Sequence, residues 1–204
     1  KWSLYIDLLH LNAEYWYWCF PVSMRYLGED GVAAYSIACY FFPIVFMVYN
    51  AVAQSAQPIL SYNYGVGHRD RVRAAFRLAL ITVVSCGLLV FILTLLFAHP
   101  ITEMFISSEY PAHHIAAEGL PLFASGFVFF GINIVSIGYF QSVERDRPAM
   151  AVTLLRGFVL VLICFAVLPL CWGVSGIWLA VPVSELLTFL FVLTIYCRGI
   201  QKTH

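Results

Sequence analysis

Charged residues are scarce in this chain. Asp, Glu, Lys and Arg make up 11% of its 204 residues, and eleven acidic side chains balance eleven basic ones. That balance gives no sign of a nucleic-acid partner. The arrangements that carry chemistry are missing too. No HExxH, GxSxG, Walker or GxGxxG pattern occurs, so the sequence points to no enzyme and implies no cofactor. Six cysteines (Cys19, Cys39, Cys86, Cys164, Cys171 and Cys197) lie mostly inside apolar runs with no CxxC pair. They read as small hydrophobes, not as a disulfide frame or a metal site. No cleavable signal peptide is visible, because Lys1-Trp2 opens straight into an aromatic-rich run. With no initiator Met, the expectation is a chain that starts inside a longer protein.

What fills the chain is hydrocarbon. Hydrophobic residues are 62% of it and the mean hydropathy is +0.85, far too apolar for a soluble domain of this length. A spanning helix needs about 20 mostly apolar residues. Runs of that kind lie at 32–60, 75–98, 119–141, 149–170 and 174–197, with a more polar one at 2–27 that contains Asp7, His10 and Glu14. Pro43 and Pro58 suggest that the run at 32–60 bends, or that its last turns lie outside the hydrocarbon.

The connections set the orientation. Residues 66–77 hold Arg69, Arg71, Arg73 and Arg77; residues 142–148 hold Arg145 and Arg147; the tail holds Arg198 and Lys202. The alternate connections at 28–31, 99–118 and 172–176 contain no Lys or Arg. By the positive-inside rule the arginine loops and both termini of the chain are cytoplasmic, in a cell (inner) membrane. That parity requires an even number of spans, hence six, with Arg25 alone on the wrong side. The expected fold is all-α and integral to the membrane, six transmembrane helices in one bundle.

One carboxylate, Glu185, falls at the middle of the last span. Holding an ionisable group there costs about 2.5–3.5 kcal/mol on insertion scales, so Glu185 is the first functional candidate. At 1.5 Å per residue it lies roughly 16–17 Å deep from the outer side, and Arg156 on the preceding span roughly 10 Å deep from the inner side. In a core of about 30 Å the two are at similar depth. Two readings stay open. Glu185 and Arg156 form a buried ion pair that fixes helix packing, or Glu185 binds a proton or a cationic substrate under the influence of Arg156. Pro182 should loosen the helix just upstream.

Uncharged amides form a second group. Asn50, Gln54 and Gln57 recur at spacings of four and three and share one helix face, with Asn63 beyond them. Such a face serves interhelical hydrogen bonding or the wall of a polar cavity. Asn133 and Gln141 make a sparser pair, better suited to packing, on a helix whose Gly126, Gly131 and Gly138 permit close contact. The 17 Phe and 12 Tyr fill cores and interfaces, and could line a pocket for lipophilic cations. His113 and His114, with Glu109 and Glu118, read as a solvated outer loop, since no further ligand stands at metal spacing.

Several of these stretches are familiar in sequence. GEDGVAAYSI (28–37), AQPILSYNYGVGHRDRVRAAFRLAL (56–80), GYFQSVERDRPAMAVTLLR (138–156) and GIWLAVPVSELLTFL (176–190) resemble the second half of multidrug and toxic compound extrusion (MATE) transporters, with the MepA-like multidrug branch the most similar. The resemblance covers residues 28–198. It implies twelve helices in two six-helix bundles, exporting cationic amphipathic compounds by alternating access, driven by protons or sodium ions. This chain would be the C-terminal bundle: 1–27 a poorly matching first segment, 28–198 the bundle, 199–204 a cytoplasmic tail. Its partners would be the N-terminal six-helix half, small cationic drugs or metabolites, and membrane lipid.

The resemblance also has gaps. The family's seventh helix often carries a carboxylate, and neither Asp7 nor Glu14 falls into its register, though Glu14 is kept as a candidate. The tenth helix carries Asn133 where one branch has an acidic coupling-ion site, so that sodium site does not transfer. The substrate or coupling-ion candidates are therefore Glu185, Gln54, Gln57, Asn50, Asn133 and Gln141, with Arg156 as ion-pair partner. A lipid-linked oligosaccharide flippase of the same fold, or a truncated fragment without transport activity, are the rival expectations.

Overall fold

The computed structural model describes the backbone of residues 2–201 and the side chains of residues 28–197, and all its regular structure there is helical. Asp7, Glu14, Cys19, Arg25 and the tail lie outside the described side chains. Helix α1 runs Trp2–Gly65 and is broken once, at Gly28 (φ 66°, ψ −169°), a conformation open to glycine because it has no Cβ. Beyond that point the backbone keeps helical dihedrals through both Pro43 and Pro58. Both sit on its exposed side.

Helix α2, Arg69–Glu103, deviates at Phe97 (φ −123°, ψ 26°), three residues before Pro100, which has no N–H to give the preceding turn. The expected run at 119–141 is two helices. Helix α3, Pro111–Ala124, and helix α4, Phe127–Ser142, meet at 42°, where Pro121 leaves a backbone bond unmade. Helix α5, Asp146–Leu154, continues through a π turn, Leu155–Val159, into helix α6, Leu160–Gln201.

Helix α6 is not one rod. Gly173 takes φ 57°, ψ −129°, and a Cβ added at Gly176 would lie 2.3 Å from the Leu168 carbonyl oxygen. Eight residues of straight helix would separate those positions by about 12 Å. The chain therefore folds back sharply at Gly173, the turn expected at 172–176. Among the described residues three helical stretches are long and apolar enough to cross a bilayer (Gly28–Gly65, Arg69–Glu103 and Asp146–Cys197, the last containing the reversal at Gly173), or four if the bent α3–α4 pair makes one span.

Aromatic rings hold the core. Tyr35 meets the edges of Phe123, Phe165 and Trp178 at 5.1–6.3 Å between centroids. Phe130 receives Phe42, Phe46 and Tyr49 at 4.7, 6.1 and 5.5 Å. Glycine lets α4 approach its neighbours: a Cβ at Gly126 would stand 2.7 Å from the Pro182 Cα, and one at Gly131 would stand 2.9 Å from the Val83 Cβ. At Gly138 the nearest atoms are 3.5 Å away, so that glycine is not needed for the approach. The exposed side of α2 is aliphatic, with Leu78, Ile81, Leu89 and Leu96 outward, whereas α1 exposes Tyr40, Ile44, Met47 and Tyr62 along with Gln54.

Candidate functional site

Both readings of Glu185 and Arg156 start from proximity, and the structure supplies it. Arg156 Nε donates to Glu185 Oε1 at 2.7 Å, with the two side chains only 9% and 3% exposed. Arg156 is presented from the π turn, where the i→i+5 bond inserts an extra residue into the helix, an irregularity common at functional sites. Its guanidinium carbon lies 4.4 Å over the Phe130 ring. The cation above an aromatic face is thus the protein's own, and Phe130 ties the pair to the rings of α1.

The third member is Asn133, fully buried on α4. Its Nδ2 donates to Glu185 Oε2 at 2.8 Å and to the Glu185 carbonyl oxygen at 2.9 Å. The sequence left Asn133 as a packing amide beside Gln141 and as a coupling-ion candidate, with no partner assigned; in the structure its partner is the Glu185 carboxylate. A helix's rotation about its axis decides that pairing, and residue depth does not carry it. Both carboxylate oxygens are therefore bonded, while Asn133 Oδ1 has no hydrogen-bond partner. Three elements (α4, the π turn and α6) converge on one buried, formally neutral cluster. Such a pair is tolerable in low dielectric because charge and hydrogen bonds are satisfied together. Gly126 adds to the construction: its contact with Pro182 holds α4 against the turn of α6 that precedes Glu185.

The amide group divides. Gln57 Nε2 donates to Gln141 Oε1 at 3.0 Å and joins α1 to α4. Asn63 Nδ2 turns back on its own helix to the Ile59 carbonyl at 2.8 Å. Gln54 is exposed and Asn50 half-buried, on the side of α1 that also shows Tyr40, Met47 and Tyr62. Gln57 and Gln141 thus bridge two helices, whereas Gln54 faces outward from α1. None of these amides approaches the Glu185 cluster by hydrogen bond.

Of the residues expected on a solvated outer loop, His114, Glu109 and Glu118 are exposed, but His113 is not. His113 is 3% exposed, and one ring nitrogen from each of His99, His113 and His114 lies within 4.8 Å of the others. The sequence reading missed His99 because fourteen residues and a turn separate it from His113.

Comparison with known proteins fits this architecture. The MatE family model matches residues 16–168; the match ends before Glu185. A protein of Shewanella oneidensis named FAD transporter is 24% identical over 164 residues, 80% of this chain and 36% of that protein. Among solved structures, an outward-facing multidrug resistance MATE family transporter of the MOP superfamily superposes with TM-score 0.82 at 16% identity, over 96% of this chain and 45% of that one. A MOP superfamily transporter from Pyrococcus furiosus, described as having a binding pocket of reverse polarity, superposes with TM-score 0.76 at 17% identity, over 92% and 40%. This chain thus spans less than half the length of each of these relatives.

Proposed function

The chain belongs to the MatE family of membrane transporters, and from that premise we propose that it forms the C-terminal, six-span half of a cation-coupled antiporter of the multidrug, MepA-like kind. The proposal includes an N-terminal partner bundle, cytoplasmic termini in the cell membrane, and export of cationic amphipathic compounds by alternating access. The observation that carries it is the buried Arg156–Glu185–Asn133 cluster in apolar helices, which a packing role alone does not require, since apolar side chains of similar volume commonly pack as well.

Coupling follows from the bonds. When Glu185 takes up a proton it stops neutralising Arg156, and its new O–H needs an acceptor. Rotation of the Asn133 amide would offer Oδ1, now without a partner, in place of Nδ2. One proton therefore changes the hydrogen bonding of α4 and releases the guanidinium on the π turn. An ion that bound both access states equally would shift nothing; the rearrangement supplies the required difference. Substrate would lie against the exposed side of α1, where Tyr40, Met47 and Tyr62 offer aromatic and thioether surface and Gln54 a polar contact. Between Tyr40 and Tyr62 the side carries no charge, which suits amphipathic compounds.

A second reading has a specific support: the relative named FAD transporter. An anionic, planar cargo would use the same aromatic side and would draw on Arg156, which engages Glu185 through Nε only. A lipid-linked oligosaccharide flippase would ask for more cavity cations than the one buried arginine, Arg156, of the described spans.

The test is efflux from cells expressing the full-length protein, wild type against Glu185→Gln, across external pH. A fluorescent cationic dye and a flavin are followed side by side. Dye efflux that is lost or made pH-insensitive at normal membrane expression is the expected result. Unchanged dye efflux would make the cluster a packing device, and flavin export without dye efflux would transfer the proposal to the anionic cargo.

A further inference from the structure

We propose that His99, His113 and His114 form a binding site for a divalent transition-metal ion of the zinc class, clipping the end of α2 to the start of α3. The three imidazoles come from two helices joined by the 104–110 turn. One ring nitrogen of each lies within 4.8 Å of the others, and their ring centroids stand 5.4–6.2 Å apart. Tetrahedral zinc with Zn–N bonds of about 2.0–2.1 Å needs its nitrogen ligands about 3.3 Å apart. Small rotations of the two exposed rings, His99 and His114, close that gap.

The buried ring carries the argument. His113 Nε2 lies 3.3 Å from the His99 carbonyl oxygen. A carbonyl only accepts, so Nε2 holds the proton and Nδ1 bears the lone pair. That Nδ1 is buried and has no hydrogen-bond partner. Leaving such an acceptor dry is costly, and a metal ion would satisfy it. A ligating imidazole whose other N–H is fixed by a backbone carbonyl is the usual support of a metal histidine. The backbone is held as well: the Thr102 hydroxyl, fully buried, donates to the Ala98 and His99 carbonyls, both at 3.0 Å. Three neutral imidazoles suit zinc, nickel or copper over magnesium or calcium, and water would complete the coordination. The site lies at the opposite end of α2 from the arginines that open that helix, hence on the outer side in the proposed orientation. The metal reading itself does not depend on the transport reading.

The experiment uses full-length, untagged protein in detergent, stripped with chelator and titrated with zinc chloride. Metal content is measured after dialysis, and thermal unfolding with and without zinc. Wild type should retain about one zinc per chain and unfold at higher temperature with it. His99→Asn and His114→Asn, at exposed positions that leave the fold intact, should each weaken binding at least tenfold, and His113→Asn should abolish it. Failure of wild type to retain zinc, or equal retention by the His99 and His114 variants, would overturn the site. The dye-efflux result bears on neither outcome.

Discussion

Asn133 grips Glu185 twice, through the carboxylate and through the residue's own carbonyl oxygen, with bonds of 2.8 and 2.9 Å. One amide therefore locks the side-chain rotamer to the backbone of α6. Asn133→Leu removes both bonds and leaves two acceptors of Glu185 short of a partner. A loss of about 1–3 kcal/mol is expected, read as a lowered unfolding temperature in detergent. Asn133→Asp places a second carboxylate beside Glu185. Its expected signature is an efflux pH profile displaced from wild type, because two carboxylates sharing one site tend to hold a proton between them.

The ion pair predicts strong non-additivity. Arg156→Leu alone strands the Glu185 charge and should cost about 3–5 kcal/mol, as should Glu185→Leu alone. The double variant strands nothing and should recover most of that loss. Unfolding temperatures of the four proteins in one detergent check the cycle. Additive losses would mean that the 2.7 Å contact contributes no coupling.

Close helix approach predicts a graded alanine series. Gly119→Ala puts a Cβ 2.0 Å from the Trp178 ring and Gly126→Ala puts one 2.7 Å from the Pro182 Cα, whereas Gly138→Ala meets nothing nearer than 3.5 Å. The first two should each cost about 1–3 kcal/mol through overpacking, and the third should be close to neutral. Gly126→Ala should also depress efflux, because Pro182 belongs to the turn of α6 just before Glu185. Equal behaviour of all three would refute the contact geometry.

The two glutamines of α1 should separate stability from selectivity. Gln57→Leu breaks the bond to Gln141 and should lower stability by about 0.6 kcal/mol, a typical interhelical hydrogen bond in a membrane. Gln54→Leu changes an exposed side chain and should leave stability alone while altering the ranking of dyes exported. The check is a panel of efflux rates beside a thermal unfolding curve.

Which parts of this were legible in the sequence follows from what each signal encodes. Apolar runs and glycine punctuation encode spans and turns, so the apolar centres of α1 and α2 and the reversal at Gly173 could be read directly, whereas the helices extend beyond those runs and the run at 119–141 is two helices. The depth of a residue follows from helix rise, and depth alone paired Arg156 with Glu185. Rotation about the helix axis is set by packing, which is why Asn133 was not seen as their partner and Gln57 was not separated from Gln54. The bend between Ala124 and Phe127, the π turn beneath Arg156 and the approach of His99 to His113 depend on tertiary context. No local pattern announces them.

Native cysteines give a test of orientation that needs no introduced thiol. Cys171, two residues before Gly173, and Cys197 are exposed, whereas Cys164 is buried and Cys39 and Cys86 half-buried. With the arginine loops in the cytoplasm, Cys171 lies at the outer turn and Cys197 at the inner end of the last span. In variants retaining one of these two cysteines and no other, a membrane-impermeant maleimide should label Cys171 in intact cells. Cys197 should react only after permeabilisation. The reverse pattern would invert the chain in the membrane and move the histidine cluster to the cytoplasmic side. Labelling of both in intact cells would contradict the crossing between them, since a helix of about 24 residues is about 36 Å long and separates its ends by a full hydrocarbon core.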